Sequence, residues 1–133
     1  MSVSVSVSEV IKSSIVIIHK SRYAYLQVKI VPPLGNHFLL SKDNDEATVI
    51  TEEKNVPSVG YEHIEKWFTL VEIKVSVPFL PGFVAAVTSA FAAESLNALV
   101  LSTFSKDYLL IREEHSTKAF QLLKRMGFQM KKE

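Results

Sequence analysis

Histidine and carboxylate side chains could do chemistry in this sequence, and their spacing decides which kind. The four histidines, His19, His37, His63 and His115, lie far apart and lack the i, i+4 spacing of helical metal ligands. A metal site would need long-range convergence of these side chains. Cysteine is absent, which excludes thiolate catalysis and cysteine metal sites. We therefore expect no metal and no other cofactor.

The remaining catalytic patterns are missing too. Two pairs of adjacent glutamates occur, Glu52 with Glu53 and Glu113 with Glu114, but adjacent side chains diverge on a strand or turn. The sequence contains no G-x-S-x-G, G-x-G-x-x-G or P-loop motif. We predict no catalytic residues and no enzymatic activity. An enzyme of ferredoxin-like fold stays open as an alternative, because a fold does not fix a function.

The length, apolar content and net charge of the chain indicate which classes of protein it can belong to. The chain has 133 residues, 47% of them apolar, and a net charge of +1, which is ordinary for one globular domain or two small ones. This charge gives no drive toward nucleic acid or anionic lipid. No apolar run reaches the ~20 residues of a membrane span, and the start of the chain lacks the features of a secretory signal. We expect a cytoplasmic protein that binds neither nucleic acid nor membrane.

The first half of the chain divides at breaker residues. Serine alternates with valine over residues 2–8, so we interpret residues 1–14 as a leader that is either disordered or an edge strand. Residues 15–31 are predicted to form either one long strand or two strands, 15–19 and 22–31, and further strands are predicted for residues 38–41 and 47–51. Residues 52–60 hold asparagine, proline and glycine without periodicity and form the predicted joint. The predicted units are 15–60 and 61–133, with one helical turn within 61–67.

The second half alternates strands and helices. Residues 68–77 read as a strand and residues 83–95 as an alanine-rich amphipathic helix. Residues 98–104 and 107–112 form a predicted hairpin. A helix follows from Ser116, with Gly127 as its C-cap, and residues 128–130 form a last strand. The fold class is α+β, a ferredoxin-like βαββαβ arrangement with two helices on one face of an antiparallel sheet.

Two segments of this half carry a family resemblance. Val77–Gly82 reads VPFLPG, precedes a helix of small residues, and is followed by LSTFSKDYLLIREE. This order resembles the ACT domain, and in particular small proteins with paired ACT-like units that are related to the CASTOR arginine sensors. The first half is similar through YAYLQVK at Tyr23–Lys29, EATVIT at Glu46–Thr51, and Trp67. The resemblance covers about residues 15 to 130 and implies tandem ACT-like units, the first of them degenerate.

The resemblance also implies a ligand site. ACT domains bind small molecules at interfaces between units, where the loop after the first strand and the helix start receive the charged groups of an amino acid. Free backbone N–H groups at a helix start favour a carboxylate, and a glycine lets a ligand approach closely. The hairpin supplies further contacts. By position, the implied site residues are Phe79, Leu80, Gly82, Phe83, Thr103, Phe104 and Asp107.

Plainer interpretations of these residues stay open. Gly82 would equally permit close packing of strand and helix, and Asp107 would equally hydrogen-bond the turn of a hairpin. Phe79, Phe104 and Trp67 are of a type found more often in a core or an interface than at a ligand.

The function predicted from the sequence is regulatory. We expect an amino-acid-binding sensor that forms a homo-oligomer, covers its open sheet edges by pairing, and couples ligand binding to a regulated protein partner. Arginine or lysine would suit Asp107, whereas an apolar amino acid would suit Phe79 and Phe104. The alternative is a structural or protein-interaction module of the same fold whose interface binds no ligand.

Overall fold

The computed structural model describes residues 5–133. Two short 3-10 helices, Glu53–Ser58 and Glu113–His115, accompany three α-helices and seven strands. In chain order these helices and strands are α1 (Val7–Ser13), β1 (Ile15–Val28), β2 (Leu39–Lys42), β3 (Ala47–Glu52), β4 (Tyr61–Lys74), α2 (Phe83–Ala93), β5 (Leu99–Ser102), β6 (Asp107–Arg112), α3 (Ser116–Met126) and β7 (Gln129–Lys132). The fold is α+β.

The chain divides into two compact units. The larger unit comprises the described residues up to Lys20 together with Leu70–Glu133, and the smaller unit is Ser21–Thr69. Both divisions fall inside the long strands β1 and β4. These bounds differ from the predicted units 15–60 and 61–133, because the predicted joint at residues 52–60 folds into a 3-10 helix within the smaller unit.

The larger unit has the strand order β7-β1-β4-β6-β5, with all three helices on one face. Val71 and Ile73 of β4 lie on that face with Leu109 and Ile111 of β6, and they share one buried cluster with residues of each helix. The predicted strand, helix, hairpin, helix and strand are all present. The first part of β1 lies between β4 and β7, where a four-stranded ferredoxin-like sheet would pair those two strands directly.

The smaller unit is a sheet with the strand order β2-β3-β1-β4. β3 pairs antiparallel with β2 on one side and with residues 23–28 of β1 on the other. Its core contains Leu26, Val49 and Ala24, and Trp67 packs against it, which agrees with the core interpretation of that residue. The predicted helical turn at 61–67 is wrong, because these residues extend β4 toward its N-terminus.

The leader contains a helix, which corrects the prediction of disorder or an edge strand for its described part. Ser6 caps α1, since its Oγ accepts a hydrogen bond from the Glu9 backbone N–H at 3.1 Å and donates to the Glu9 carboxylate at 3.0 Å. Val10 and Ile11 are buried in the core of the larger unit. Burial and capping outweigh the two-residue period of the Ser/Val run. Residues 1–4 of the predicted leader lie outside the described residues.

The end of α3 follows the predicted pattern. Gly127 has a φ of +112°, and the Phe128 N–H donates to the Leu123 carbonyl oxygen at 3.3 Å, as in a Schellman motif. Phe128 is buried in the core. The N-cap is His115 rather than Ser116, which is the first helical residue and donates its hydroxyl proton to the Glu113 carbonyl oxygen.

We expect Gly127→Ala to lower the free energy of unfolding by about 1–2 kcal/mol, because a non-glycine residue pays this in the left-handed region. The added Cβ would also lie 3.4 Å from Lys12 Cγ. Urea denaturation measures the change. Gly60→Ala is the matched control, since a Cβ there meets no atom within 4 Å and no positive φ applies. Equal losses in the two variants would contradict the assigned role of Gly127.

Candidate functional site

The start of α2 and the tip of the β5–β6 hairpin line an open cavity of about 180 Å³ in the larger unit. A cavity of ~150 Å³ holds a benzene molecule, so this one has the size of an amino-acid side chain. Its wall is formed by Val75, Pro78, Phe79, Leu80, Phe83, Val84 and residues 102–107. We call it the hairpin cavity.

Every predicted site residue except Gly82 lines this cavity. Phe79, Leu80 and Phe83 come from the segment before α2 and its first residue, whereas Thr103, Phe104 and Asp107 come from the hairpin. Gly82 is the N-cap of α2 with a φ of +89°. A Cβ on it would point to Val7 Cγ2 at 3.5 Å. The left-handed backbone is a structural reason for glycine at this position, and the approach of a ligand to Gly82 stays a prediction.

The hairpin tip is fixed by its own hydrogen bonds. Ser102 and Asp107 lie opposite each other in the strand register, and the Ser102 hydroxyl donates to Asp107 Oδ1 at 2.7 Å. The Thr103 N–H donates to the Lys106 carbonyl oxygen at 2.9 Å. Asp107 thus accepts a hydrogen bond within the hairpin, but from the Ser102 side chain of β5 rather than from the backbone of the turn. It also lies on the cavity wall, on the face of β6 that carries Leu109 and Ile111.

The start of α2 offers backbone donors to the cavity. Gly82 provides no side-chain cap, and the first turn contains no acidic residue. The first N–H groups of a helix lack intrahelical acceptors, and its dipole favours a negative charge there. The Phe83 N–H donates to the Leu80 carbonyl oxygen at 3.3 Å, so the donor beside the cavity is the N–H of Val84, the second helical residue, which lines the cavity. A carboxylate is the chemical group that this end of the cavity suits.

Two exposed phenylalanines stand at the cavity. Phe79 is 80% exposed and Phe104 is 87% exposed, and their rings make an edge-to-face contact with centroids 5.9 Å apart. Phe79 has a φ of +63°, a conformation that costs a non-glycine residue about 1–3 kcal/mol. Both rings therefore lie where the cavity opens to solvent.

A polar cluster on the other face of the sheet supports the hairpin. Lys106 Nζ lies 3.4 Å from Glu72 Oε2, and the Glu72 side chain is only 9% exposed. The Tyr108 oxygen, and after it the Glu72 carboxylate, raise the pKa of Lys106, so its ammonium stays charged. Burial, and then the negative charge of Glu72, raise the pKa of Tyr108 above 10.0. No sequence pattern marks Glu72, since its pairing with Lys106 depends on the neighbouring positions of β4 and β6 in the sheet.

His19 bridges two carboxylates in the same cluster. Its Nε2 lies 3.0 Å from Glu72 Oε1 and its Nδ1 lies 2.7 Å from Glu133 Oε2. Both nitrogens donate only in the imidazolium form. Within residues 5–133 no group of three or more histidine, aspartate or glutamate side chains is placed to hold a metal ion.

We expect a pH-dependent contribution of Glu133 to stability. Hydrogen bonds from the Lys20 N–H, and then from His19, hold the pKa of Glu133 below its ordinary value of 4.5. A depressed folded-state pKa stabilises the protein above 4.5, and this stabilisation is lost as the pH falls through the folded pKa. In urea denaturation between about pH 6 and pH 3, the wild type should therefore lose more stability than Glu133→Gln. Parallel pH profiles of the free energy of unfolding for the wild type and Glu133→Gln would contradict this contribution of Glu133.

Comparison with known proteins shows what the second half of the chain is similar to. Residues 62–125 match the ACT domain. The ACT segment includes most of β4, all of α2, β5 and β6, and nearly all of α3, and hence every residue of the hairpin cavity. The search of curated proteins found no match to the sequence.

Solved structures share the fold over most of the chain. A protein from Agrobacterium tumefaciens superimposes with a TM-score of 0.76 at 20% identity, covering 90% of this chain and 93% of its own. A Vibrio cholerae protein of unknown function, described as a possible transport protein, gives a TM-score of 0.75 at 16% identity, with 90% and 94% covered. The regulatory subunit of aspartate kinase from Thermus flavus gives 0.63 at 11% identity, with 84% and 95% covered. These likenesses establish the fold, an α+β fold of the kind found in regulatory ACT domains.

No helix within residues 5–133 is long and apolar enough to cross a membrane.

Proposed function

We propose that this chain is a regulatory sensor that binds an amino acid in the hairpin cavity and performs no chemistry of its own. The observation that carries the proposal is the composition of the cavity: the start of α2, which lacks a side-chain cap, at one end, the Asp107 carboxylate on the wall, and apolar side chains between them. The α-carboxylate of the ligand would bind at the helix start and its α-ammonium at Asp107. These two groups are common to all amino acids.

The side chain of the ligand follows from the rest of the wall. Val75, Leu80 and Val84 are apolar, and the Lys106 ammonium is held by Glu72. Phe79 and Phe104 add aromatic surface at the opening. An apolar amino acid suits this wall better than arginine or lysine, because Asp107 is then occupied by the α-ammonium.

Thermal unfolding in the presence of each of the twenty amino acids tests the proposal. A ligand at a hundred times its dissociation constant adds about 2.7 kcal/mol to the free energy of unfolding. We expect a selective rise in the melting temperature with one amino acid or a small related group. The absence of any rise at millimolar concentration would contradict amino-acid binding.

The proposal extends to assembly. In the described residues β5 is an edge strand of the larger unit, with β6 as its sole neighbour, and Leu99, Val100 and Leu101 give it an apolar, uncharged character. We expect a cytoplasmic homo-oligomer of paired ACT-like units, related to the CASTOR-type sensors, that passes the ligand signal to a protein partner. Sedimentation equilibrium that shows a monomer at high protein concentration would contradict the homo-oligomer.

The exposure of Phe79 and Phe104 favours a second candidate function, a protein-interaction module without a ligand. The double variant Phe79→Ser/Phe104→Ser separates the two functions. It would abolish association with a partner in the second case. In the first case it would leave binding of the α-carboxylate and α-ammonium measurable.

A further inference from the structure

An open groove lies between α3 and β7 in the larger unit, away from the residues that line the hairpin cavity. Its volume is about 490 Å³. Ile18, Phe120 and Met130 form an apolar floor, and Lys124, Lys131 and Lys132 contribute positive charge to its wall. We call it the α3–β7 groove.

The floor of the groove is a half-exposed extension of the core. Ile18, Phe120 and Met130 are each partly buried and pack against the buried cluster of the larger unit. Ile18 pairs with Lys132 in the register of β1 and β7, and Val16 pairs with Met130, so these side chains share the helix-bearing face. The floor therefore leaves part of its apolar surface exposed to solvent.

The lysines of the groove have no internal counter-charge. Neither a hydrogen bond nor an ion pair joins Lys124, Lys131 or Lys132 to any side chain within residues 5–133. Other basic residues of α3 are engaged: Lys118 donates to the Glu94 carbonyl oxygen and Arg125 to the Glu94 carboxylate. Three like charges at one groove favour a partner with negative charges at matching positions.

The edge of β7 lies beside the same groove. Across residues 5–133, β7 pairs with β1 alone, in parallel register, so one edge of Gln129–Lys132 keeps its backbone N–H and C=O groups available. An extended peptide adds to such an edge through main-chain hydrogen bonds, while alternate side chains enter neighbouring pockets. The open edge of β7, the apolar floor and the lysines of the groove together fit an extended peptide that carries apolar and acidic side chains.

We propose that the α3–β7 groove binds an acidic, extended segment of another protein, which adds a strand to the free edge of β7. Its apolar side chains lie on the helix-bearing face over Ile18, Phe120 and Met130. Its carboxylates alternate with them and meet Lys131, whose side chain points to the opposite face, while Lys124 and Lys132 add to the positive charge around the strand. This surface is separate from the hairpin cavity and does not depend on ligand binding there. It gives the chain a place to dock on a partner through charge and backbone pairing.

Fluorescence anisotropy of the full chain with a labelled peptide of alternating glutamate and valine tests the proposal. The peptide has about seven residues, the length of an ordinary strand. We expect saturable binding at or below about 1 mM, weakening as salt is added, and at least about fivefold weaker binding of a glutamine–valine peptide. Equal binding of the two peptides, or no saturation of the glutamate peptide, would overturn the proposal.

Charge reversal locates the site. Lys124→Glu and Lys131→Glu should each weaken binding of the glutamate peptide by about fivefold or more, because each replaces an attraction by a repulsion. Lys42→Glu is the matched control, since Lys42 is an exposed lysine on β2, an edge strand of the smaller unit, and its reversal changes the net charge equally. Equal weakening in the control would show a response to net charge alone and overturn the docking site. Binding to anionic vesicles with no peptide binding would overturn it in favour of a lipid surface.

Discussion

Asp107→Asn should weaken amino-acid binding by about 10-fold to 100-fold, because a hydrogen bond to a charged group contributes about 1.5–3 kcal/mol. The substitution keeps the shape of the side chain and an oxygen that can accept the Ser102 hydrogen bond. It removes the negative charge that would bind the α-ammonium of the ligand. Isothermal titration with the amino acid that raises the melting temperature measures the change in affinity.

Asp45→Asn is the control for this variant. Asp45 is an exposed carboxylate in the turn between β2 and β3 of the smaller unit, and its side chain forms no hydrogen bond or ion pair with any other residue in the range 5–133. Its loss changes the net charge by the same amount without touching the hairpin cavity. Unchanged affinity in Asp107→Asn, or equal weakening in both variants, would contradict the role of Asp107.

Phe91→Ala should lower the free energy of unfolding by about 3–5 kcal/mol. Phe91 lies on α2, is 2% exposed, and belongs to the core cluster of the larger unit. Truncation removes a buried ring and leaves a cavity that the surrounding side chains fill only in part. Urea denaturation of the ligand-free protein measures the loss.

Val84→Ala on the same helix is the control, because Val84 is 40% exposed and loses little burial on truncation. We expect a change of less than about 1 kcal/mol for it. A loss below about 1 kcal/mol for Phe91→Ala as well would contradict the packing of α2 on the sheet.

Local signals made part of this fold predictable. Gly127 and Phe128 mark the end of α3 through a conformation that glycine adopts readily and a hydrophobic contact just beyond it. The hairpin of β5 and β6 follows from two β-rich runs with a short break, and β6 begins at Asp107 as predicted. In both places the determinants lie within a few residues of each other, so the sequence alone carries them.

Other parts depend on distant contacts. The position of β1 between β4 and β7 pairs residues more than a hundred positions apart, as in Ile15 with Gln129, and no local pattern encodes that register. The helix α1 had a readable signal, the capping box from Ser6 to Glu9, but the Ser/Val alternation pointed to a strand. Burial of Val10 favours the helix over the strand, and burial depends on the whole fold rather than on the local sequence.

The sequence predicted several of the residues that line the hairpin cavity, but not the contacts that their side chains make. Phe79 and Asp107 are separated by 28 positions in the sequence, and the resemblance to the ACT domain is what placed them together. The hydrogen bond between Ser102 and Asp107 could have been inferred from the register of a tight hairpin. The link from Lys106 to Glu72 could not, because it requires the order of strands in the sheet.

A titration of the ¹⁵N-labelled protein with each of the twenty amino acids in turn, followed by amide chemical shifts, tests whether an amino acid binds in the hairpin cavity. Binding as proposed moves the amide signals of residues 79–86 and 102–107, with the largest changes at Val84 and Ala85, whose N–H groups lie at the start of α2. Shifts confined to other residues, or no shift with any amino acid at millimolar concentration, would contradict an amino-acid site in the hairpin cavity.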